Sequence, residues 1–213
     1  MTRFNSSTPR HRNTGFAALC LALGMARAAS AQHGEPAKPA AEPVKPAATA
    51  PASSSELALA GLKMTVPAGW TREETPSTPM GPVAVFKIPK TDPAANDGAV
   101  RITHFPNMKG KEMDDRNIDR WIGQVAKPDG SPMTRADAKI TTSEVGPIKL
   151  TVVDLGGSVK MTMRDSAQPA HRMIAAIVDH PKGPHFVVAT GPSAAMGKWA
   201  AQIDAFLKSA KVE

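Results

Sequence analysis

The sequence predicts an α+β domain built on an antiparallel β-sheet of about six to seven strands flanked by helices, and three features near its C-terminal end carry that expectation. Residues 173–178 and 186–189 are apolar at every position, which a strand satisfies only inside a sheet covered on both faces. The turn between them, Pro181-Lys182-Gly183-Pro184, is too short for a crossover helix, so the two strands are expected to be antiparallel neighbours. Met196, Trp199, Ala200, Ile203, Phe206 and Leu207 then recur at helical spacing, with Lys198, Gln202 and Lys208 on the other side, the stripe of a helix packed on a sheet. Thr190 or Gly191 is the expected N-cap of this helix and Pro192 its first residue.

Residues 1–31 read as a secretory signal peptide: a basic stretch ends at Arg12, an apolar run covers 16–25, and Ala29-Ser30-Ala31 supplies small residues for cleavage before Gln32. The run is too short for a permanent membrane span. Cys20, the only cysteine, lies in that run with Leu19 before it where a lipid-attachment motif wants a small residue. The exported chain is therefore expected to lack disulfides and thiol ligands. Residues 32–56 form a Pro/Ala tract whose one bulky apolar side chain is Val44, a composition that cannot build a core and reads as a disordered, semi-extended tether. The folded domain is expected over 57–213.

Four of the basic residues lie in the first 31 positions, which contain no acids, so the formal charge of +7 falls to +3 from Gln32 onward. So weak a field does not argue for nucleic acid.

Within the domain, Leu62, Met64 and Val66 alternate with polar residues as a strand that ends before Pro67-Ala68-Gly69-Trp70. Residues 83–88 supply a second strand closed by Pro89, residues 92–98 a loop, and Val100, Ile102 and His104 a third strand alternating with Arg101 and Thr103. Residues 112–126 carry a helical stripe of Ile118, Trp121, Ile122 and Val125, with Asp114 and Asp115 in the first turn and Pro128-Asp129-Gly130 as the expected stop. Residues 139–145 and 148–155 read as a hairpin about Gly146-Pro147. In its second strand the apolar phase shifts from Ile148, Leu150 and Val152 to Val153 and Leu155, which calls for a bulge or a wholly buried end. Residues 159–163 form a further strand or a continuation past Gly156-Gly157, and residues 166–170 a loop.

The order of these segments resembles a secreted bacterial family of unassigned function with the PsbP/Mog-like fold. The likeness rests on Pro67-Ala68-Gly69-Trp70, on Asn117-Ile118-Asp119-Arg120-Trp121-Ile122-Gly123-Gln124, and on Thr190-Gly191-Pro192 leading to a helix that ends in Phe206-Leu207-Lys208-Ser209. It spans about residues 57–211 and implies an α/β/α sandwich, an antiparallel sheet between helices. Val125 stands where an aromatic residue is expected. The resemblance implies binding or accessory roles and fixes no chemistry.

No nucleophile elbow, zinc-protease pair, phosphate loop or dinucleotide fingerprint occurs, so catalytic and cofactor-binding residues are expected to be absent and the chain is not expected to be an enzyme. The leading expectation is a secreted or periplasmic binding module for an envelope protein or small ligand. The expected contact surface is the polar edge of the first helix, where Asn117, Arg120 and Gln124 stack hydrogen-bond donors beside Trp121. A second reading is a copper or zinc protein, with His180, His185 and Asp179 about the turn or the alternate thioethers Met161 and Met163 as ligands. An unrecognised hydrolase stands third. Histidines at turns are usually solvated and alternate methionines usually core, so no metal residue is assigned.

Overall fold

A computed structural model of the 213-residue chain describes residues 54–75, 78–108, 110–162 and 166–213. The expected signal segment and nearly all of the expected tether lie outside them, as does Met163. Strands β1 (Ser55–Leu59) and β2 (Leu62–Val66) form a hairpin, with Leu57 opposite Met64. Both of those side chains are buried, so this hairpin belongs to the core.

Next come β3 (Thr71–Glu73), β4 (Ala84–Ile88), β5 (Gly98–His104) and α1 (Lys111–Gly123). They are followed by β6 (Val125–Ala126), β7 (Lys139–Val145), β8 (Ile148–Val159), β9 (Gln168–Asp179) and β10 (His185–Pro192). Helix α2 (Ser193–Lys208) and β11 (Lys211–Val212) close the chain.

The main sheet has eight strands in the order β3-β4-β5-β10-β9-β8-β6, with β7 also paired to β8, and every pairing is antiparallel. A separate three-stranded sheet holds β1, β2 and β11. Strand β10 occupies the middle, with Val187 opposite both Ile102 of β5 and Ala176 of β9. Its apolar composition on both alternating phases follows from that position, because each face of the main sheet carries its own core.

One core joins Leu57, Leu62, Met64 and Val66 of the small sheet to Met196, Ile203, Phe206 and Leu207 of α2. Both pack on the even-numbered apolar residues of β4, β5, β8 and β9 together with Val187 and Ala189. Trp70 sits at its centre, with ring centroids 5.3 Å from Phe206, 6.2 Å from Phe86 and 6.5 Å from Trp199. On the other face, Ile118, Trp121 and Ile122 of α1 pack on Val153, Leu155, Met173, Ala175, Ile177 and Phe186. No residue of β3, β4 or β5 belongs to that second core.

The phase shift in β8 is now explained by burial on both sides. Ile148, Leu150 and Val152 face the α2 core while Val153 and Leu155 face the α1 core, and the register with β9 runs unbroken from Lys149 to Gly157. The irregularity comes later, between Gly157 and Val159. There a Cβ on Gly157 would lie 2.1 Å from the carbonyl oxygen of Ala126, so only glycine lets β6 approach this close.

Three boundaries differ from the sequence reading. Helix α1 ends at Gly123, and Val125 continues as β6 opposite Val159, because its buried side chain completes the second core from a strand. Pro192 is the N-cap of α2, not its first residue; Thr190 and Gly191 are still strand, and the helix has no side-chain cap bond. Residues 168–170 belong to β9, extended by the pairing of Gln168 with Val159. Strands β1, β3 and β11 are short and carry little periodicity to betray them.

Trp121 is fully buried, whereas Trp199, although the largest side chain on its stripe, is partly exposed and donates its indole N–H to the Pro89 carbonyl at 3.1 Å. Trp121→Ala is expected to cost about 3–5 kcal/mol, Trp199→Ala distinctly less, and Lys198→Ala almost nothing. Urea unfolding of the three variants checks the order; a Trp199 variant weaker than the Trp121 variant would contradict this packing.

Candidate functional site

The polar edge of α1 is mostly committed to the protein itself. The Asn117 amide donates to the Met113 carbonyl at 2.9 Å, and its oxygen accepts from Arg120 Nη2 at 3.0 Å. The Gln124 side-chain amide donates to the Met161 carbonyl at 2.7 Å, and the Gln124 backbone carbonyl accepts from the Lys160 N–H at 2.8 Å. Trp121 has no exposed surface. Of the four residues expected here, Arg120 alone is exposed; its guanidinium lies 5.7 Å from the Trp121 ring centroid, and partial burial lowers its pKa. The geometry thus makes Gln124 a clasp that holds residues 160–161 against the helix.

Beyond the reach of α1, the same face of the sheet contains an open cavity of about 590 Å³. Its floor is made of Ala99, Thr190 and Gly191, its walls of Arg101, Asn96, Asp97, Ser166, Gln168 and His171, and its apolar side of Val159 and Met161. The floor is low because the Ala99–Thr190 pair carries small side chains; the Cβ position of Gly191 points to the other face, 3.3 Å from the Met196 sulfur of α2. A Cβ on Gly191 would lie 2.8 Å from the Cα of Gly98, so the close approach of these two strands requires glycine. Met161, held by Gln124, forms part of the wall.

Two polar groups in the cavity are already occupied. Asp97 accepts the Lys90 backbone N–H at 2.8 Å and pairs with Lys87 at 3.5 Å. The first of these contacts is the larger cause of its lowered pKa. His171 Nδ1 donates to the Pro169 carbonyl at 2.8 Å. By contrast, exposed Arg101 makes no ion pair or side-chain hydrogen bond with any described residue. The sequence offered no sign of this cavity: Arg101 reads as the solvent phase of an ordinary strand, and its companions come from four distant segments.

A second groove, of about 440 Å³, runs between α2 and strands β7–β9 over Leu150, Val152, Ile174, Ile203 and Leu207. Its rim holds the two-bonded Arg172–Asp154 pair, at 2.8 and 2.6 Å. That pair satisfies both charges within the protein.

The turn histidines do meet, together with a third. His104 and His185 stack at 4.3 Å, and His180 stands edge-on to His185 at 5.7 Å. His185 Nε2 donates to the Leu59 carbonyl at 3.1 Å, His180 Nδ1 accepts the Lys182 N–H at 3.1 Å, and His104 Nε2 donates to the Lys182 carbonyl at 3.3 Å. Stacked rings do not converge their lone pairs on one point, and each ring has a nitrogen committed to backbone. Among the described residues no three His, Cys, Asp or Glu side chains are placed to hold a metal ion. The cluster ties the β1–β2 turn to the sheet.

No protein-family profile matches this sequence, and no curated protein does. Among solved structures, the solution structure of cyanobacterial PsbP (CyanoP) from Synechocystis sp. PCC 6803 is similar at 13% identity, covering 79% of this chain and 98% of that one with a TM-score of 0.49. A protein of unknown function from Pseudomonas aeruginosa is similar at 10% identity over 71% of this chain and 91% of that one, with a TM-score of 0.42. At such distances neither likeness carries a functional argument, and the α+β architecture stands on this chain's own sheet and helices.

Two expectations follow from the contacts. Gln124→Ala removes a partly buried bond and is expected to lower stability by about 1–3 kcal/mol, while exposed Arg120→Ala leaves the melting temperature nearly unchanged; thermal melts of both variants test the difference. The second concerns acid. Burial, then the charges of His104 and His180, lower the pKa of His185 from 6.5 to about 4. A lowered histidine pKa means that the unfolded chain binds the proton more readily, so this stability is fully present above pH 6.5 and is lost as pH falls toward 4. Wild type is expected to lose at most about 3 kcal/mol across that window. His185→Gln, which keeps a donor for Leu59 and cannot titrate, should lose measurably less in paired melts at the two ends.

Proposed function

We propose that the chain is an exported, non-enzymatic binding domain of the bacterial envelope that takes a small ligand in the cavity over Ala99 and Thr190. The observation that carries this reading is Arg101, which lines a cavity with a small-residue floor and is not neutralised by any described residue. A charged side chain left unpaired beside convergent amides and hydroxyls, with an apolar wall opposite, is the common composition of a small-molecule site. Cavity size agrees, since such sites run from about 300 to 1,000 Å³. The lining residues that could do acid–base chemistry, Asp97 and His171, bond to backbone groups and not to each other or to Ser166, an arrangement that suits recognition better than turnover.

Export rests on the sequence of residues 1–31, and the Pro/Ala tract would then carry the domain away from its point of attachment or release. Among the described residues no helix is long and apolar enough to cross a membrane.

Native mass spectrometry of the protein isolated from its own cell envelope tests both parts. The expected result is a mass beginning near Gln32, with a small-molecule adduct lost on unfolding and absent from an Ala99→Phe variant that fills the floor. A retained N-terminal segment would refute export. A protein free of adduct, or an adduct that survives Ala99→Phe in a folded variant, would refute the cavity as the binding site.

A further inference from the structure

We infer that the cavity over Ala99 and Thr190 takes a small organic anion, a carboxylate with a short apolar body, whose charge is held by Arg101; this rests on the reading of that cavity as the binding site. Arg101 stands in mid-strand on β5, opposite Val85 on one side and Val188 on the other. Val85 is buried and Val188 half-buried. Aliphatic neighbours on both flanks fix the position of the guanidinium's stem and give it no carboxylate in return.

Among the described lining residues the charge balance is decided by Asp97, the one carboxylate of that set. Its oxygens are taken by the Lys90 N–H and by Lys87. Lys87 therefore offsets Asp97, and among the described residues Arg101 is left as one uncompensated positive charge at the cavity wall. A metal ion or an amine would be repelled by it. A carboxylate matches its planar fork with two parallel hydrogen bonds.

The remaining donors suit the same ligand. Gln168 makes one long bond, 3.4 Å to the Ser166 carbonyl, so its amide retains a second N–H. Asn96, Ser166 and Thr190 add an amide and two hydroxyls at the lining. Val159 and Met161 face the ligand with hydrocarbon and thioether only. An inorganic anion would leave that wall unused. A nucleotide would lack a ring to stack on, because the lining contains no Phe or Trp.

The test is titration of the ¹⁵N-labelled whole chain with hexanoate, hexanol and inorganic phosphate, followed at the backbone amides of Ala99, Arg101, Thr190 and Gly191. Hexanoate is expected to shift these amides saturably, with hexanol and phosphate at least about ten-fold weaker, the loss that a charge-assisted bond implies. Arg101→Gln should weaken hexanoate by about ten-fold or more at an unchanged melting temperature, because the side chain bonds to no described residue. Arg120→Gln, on the other part of the same face, should leave it unchanged. Hexanol binding as tightly as hexanoate, or Arg101→Gln without effect, overturns the anion while leaving a neutral ligand in the cavity. Phosphate as tight as hexanoate overturns the apolar body. Should no probe move these amides while native mass spectrometry still finds an adduct that Ala99→Phe abolishes, this inference fails and the cavity reading survives; with no adduct either, both fail.

Discussion

The structure depends on β10 being hydrogen-bonded on both edges and buried on both faces. Among the described residues, its register with β5 and with β9 is the only ladder joining the early strands β3–β5 to the late strands β6–β9. Phe186 serves the α1 core while Val187 and Ala189 serve the α2 core. A one-residue slip of β10 would exchange those faces and break two ladders at once. The long loop closure between β5 and β10 is thus compensated by hydrophobic contacts on both sides of one strand.

The two covers of the sheet are unequal, and that inequality makes the cavity. On one face α2 and the small sheet together cover strands from β4 to β9. On the other, α1 reaches Phe186 of β10 and the strands beyond it, and leaves β3, β4 and β5 without a helix. An uncovered strand can carry polar or charged residues on its open phase, as it does at Lys87, Arg101 and Thr103, although Val85 of the same phase is buried. The cavity forms at the border between covered and uncovered sheet, where small residues at 99 and 190 lower the floor and residues 159–161 stand at its side.

Sequence patterns made the centre of the sheet and both long helices legible because burial there is periodic. Residues 173–178 and 186–189 could not be apolar throughout unless both faces were covered, and the mixed phases of β8 had the same cause. The edges were illegible for the converse reason. Strand β3 is exposed at all three positions and β11 at both, so no hydrophobic alternation exists to be read. The site was less legible still. Trp121 looked like a contact residue because Arg and Trp lie side by side in the sequence, yet at a helix position facing β10 the indole is core. Arg101 looked ordinary because the absence of a partner among the described residues is a property of three-dimensional neighbours, which no spacing rule records.

The polar edge of α1 bears on the cavity through the support it gives residues 160–161. A helix edge rich in carboxamides can bind outward or can satisfy the backbone of a neighbouring segment. Here the choice is made by residues 160–161, which leave β8 at its irregular end and would have no ladder partner for their polar groups. Gln124 provides one at 2.7 Å through its side chain, and its carbonyl accepts from Lys160. A buried backbone carbonyl without a donor would cost about as much as a lost hydrogen bond, so the clasp holds Met161 where it lines the cavity. The spacing that suggested recognition in the sequence therefore also places a wall of the cavity, and Arg101 stands on the open strand beside it.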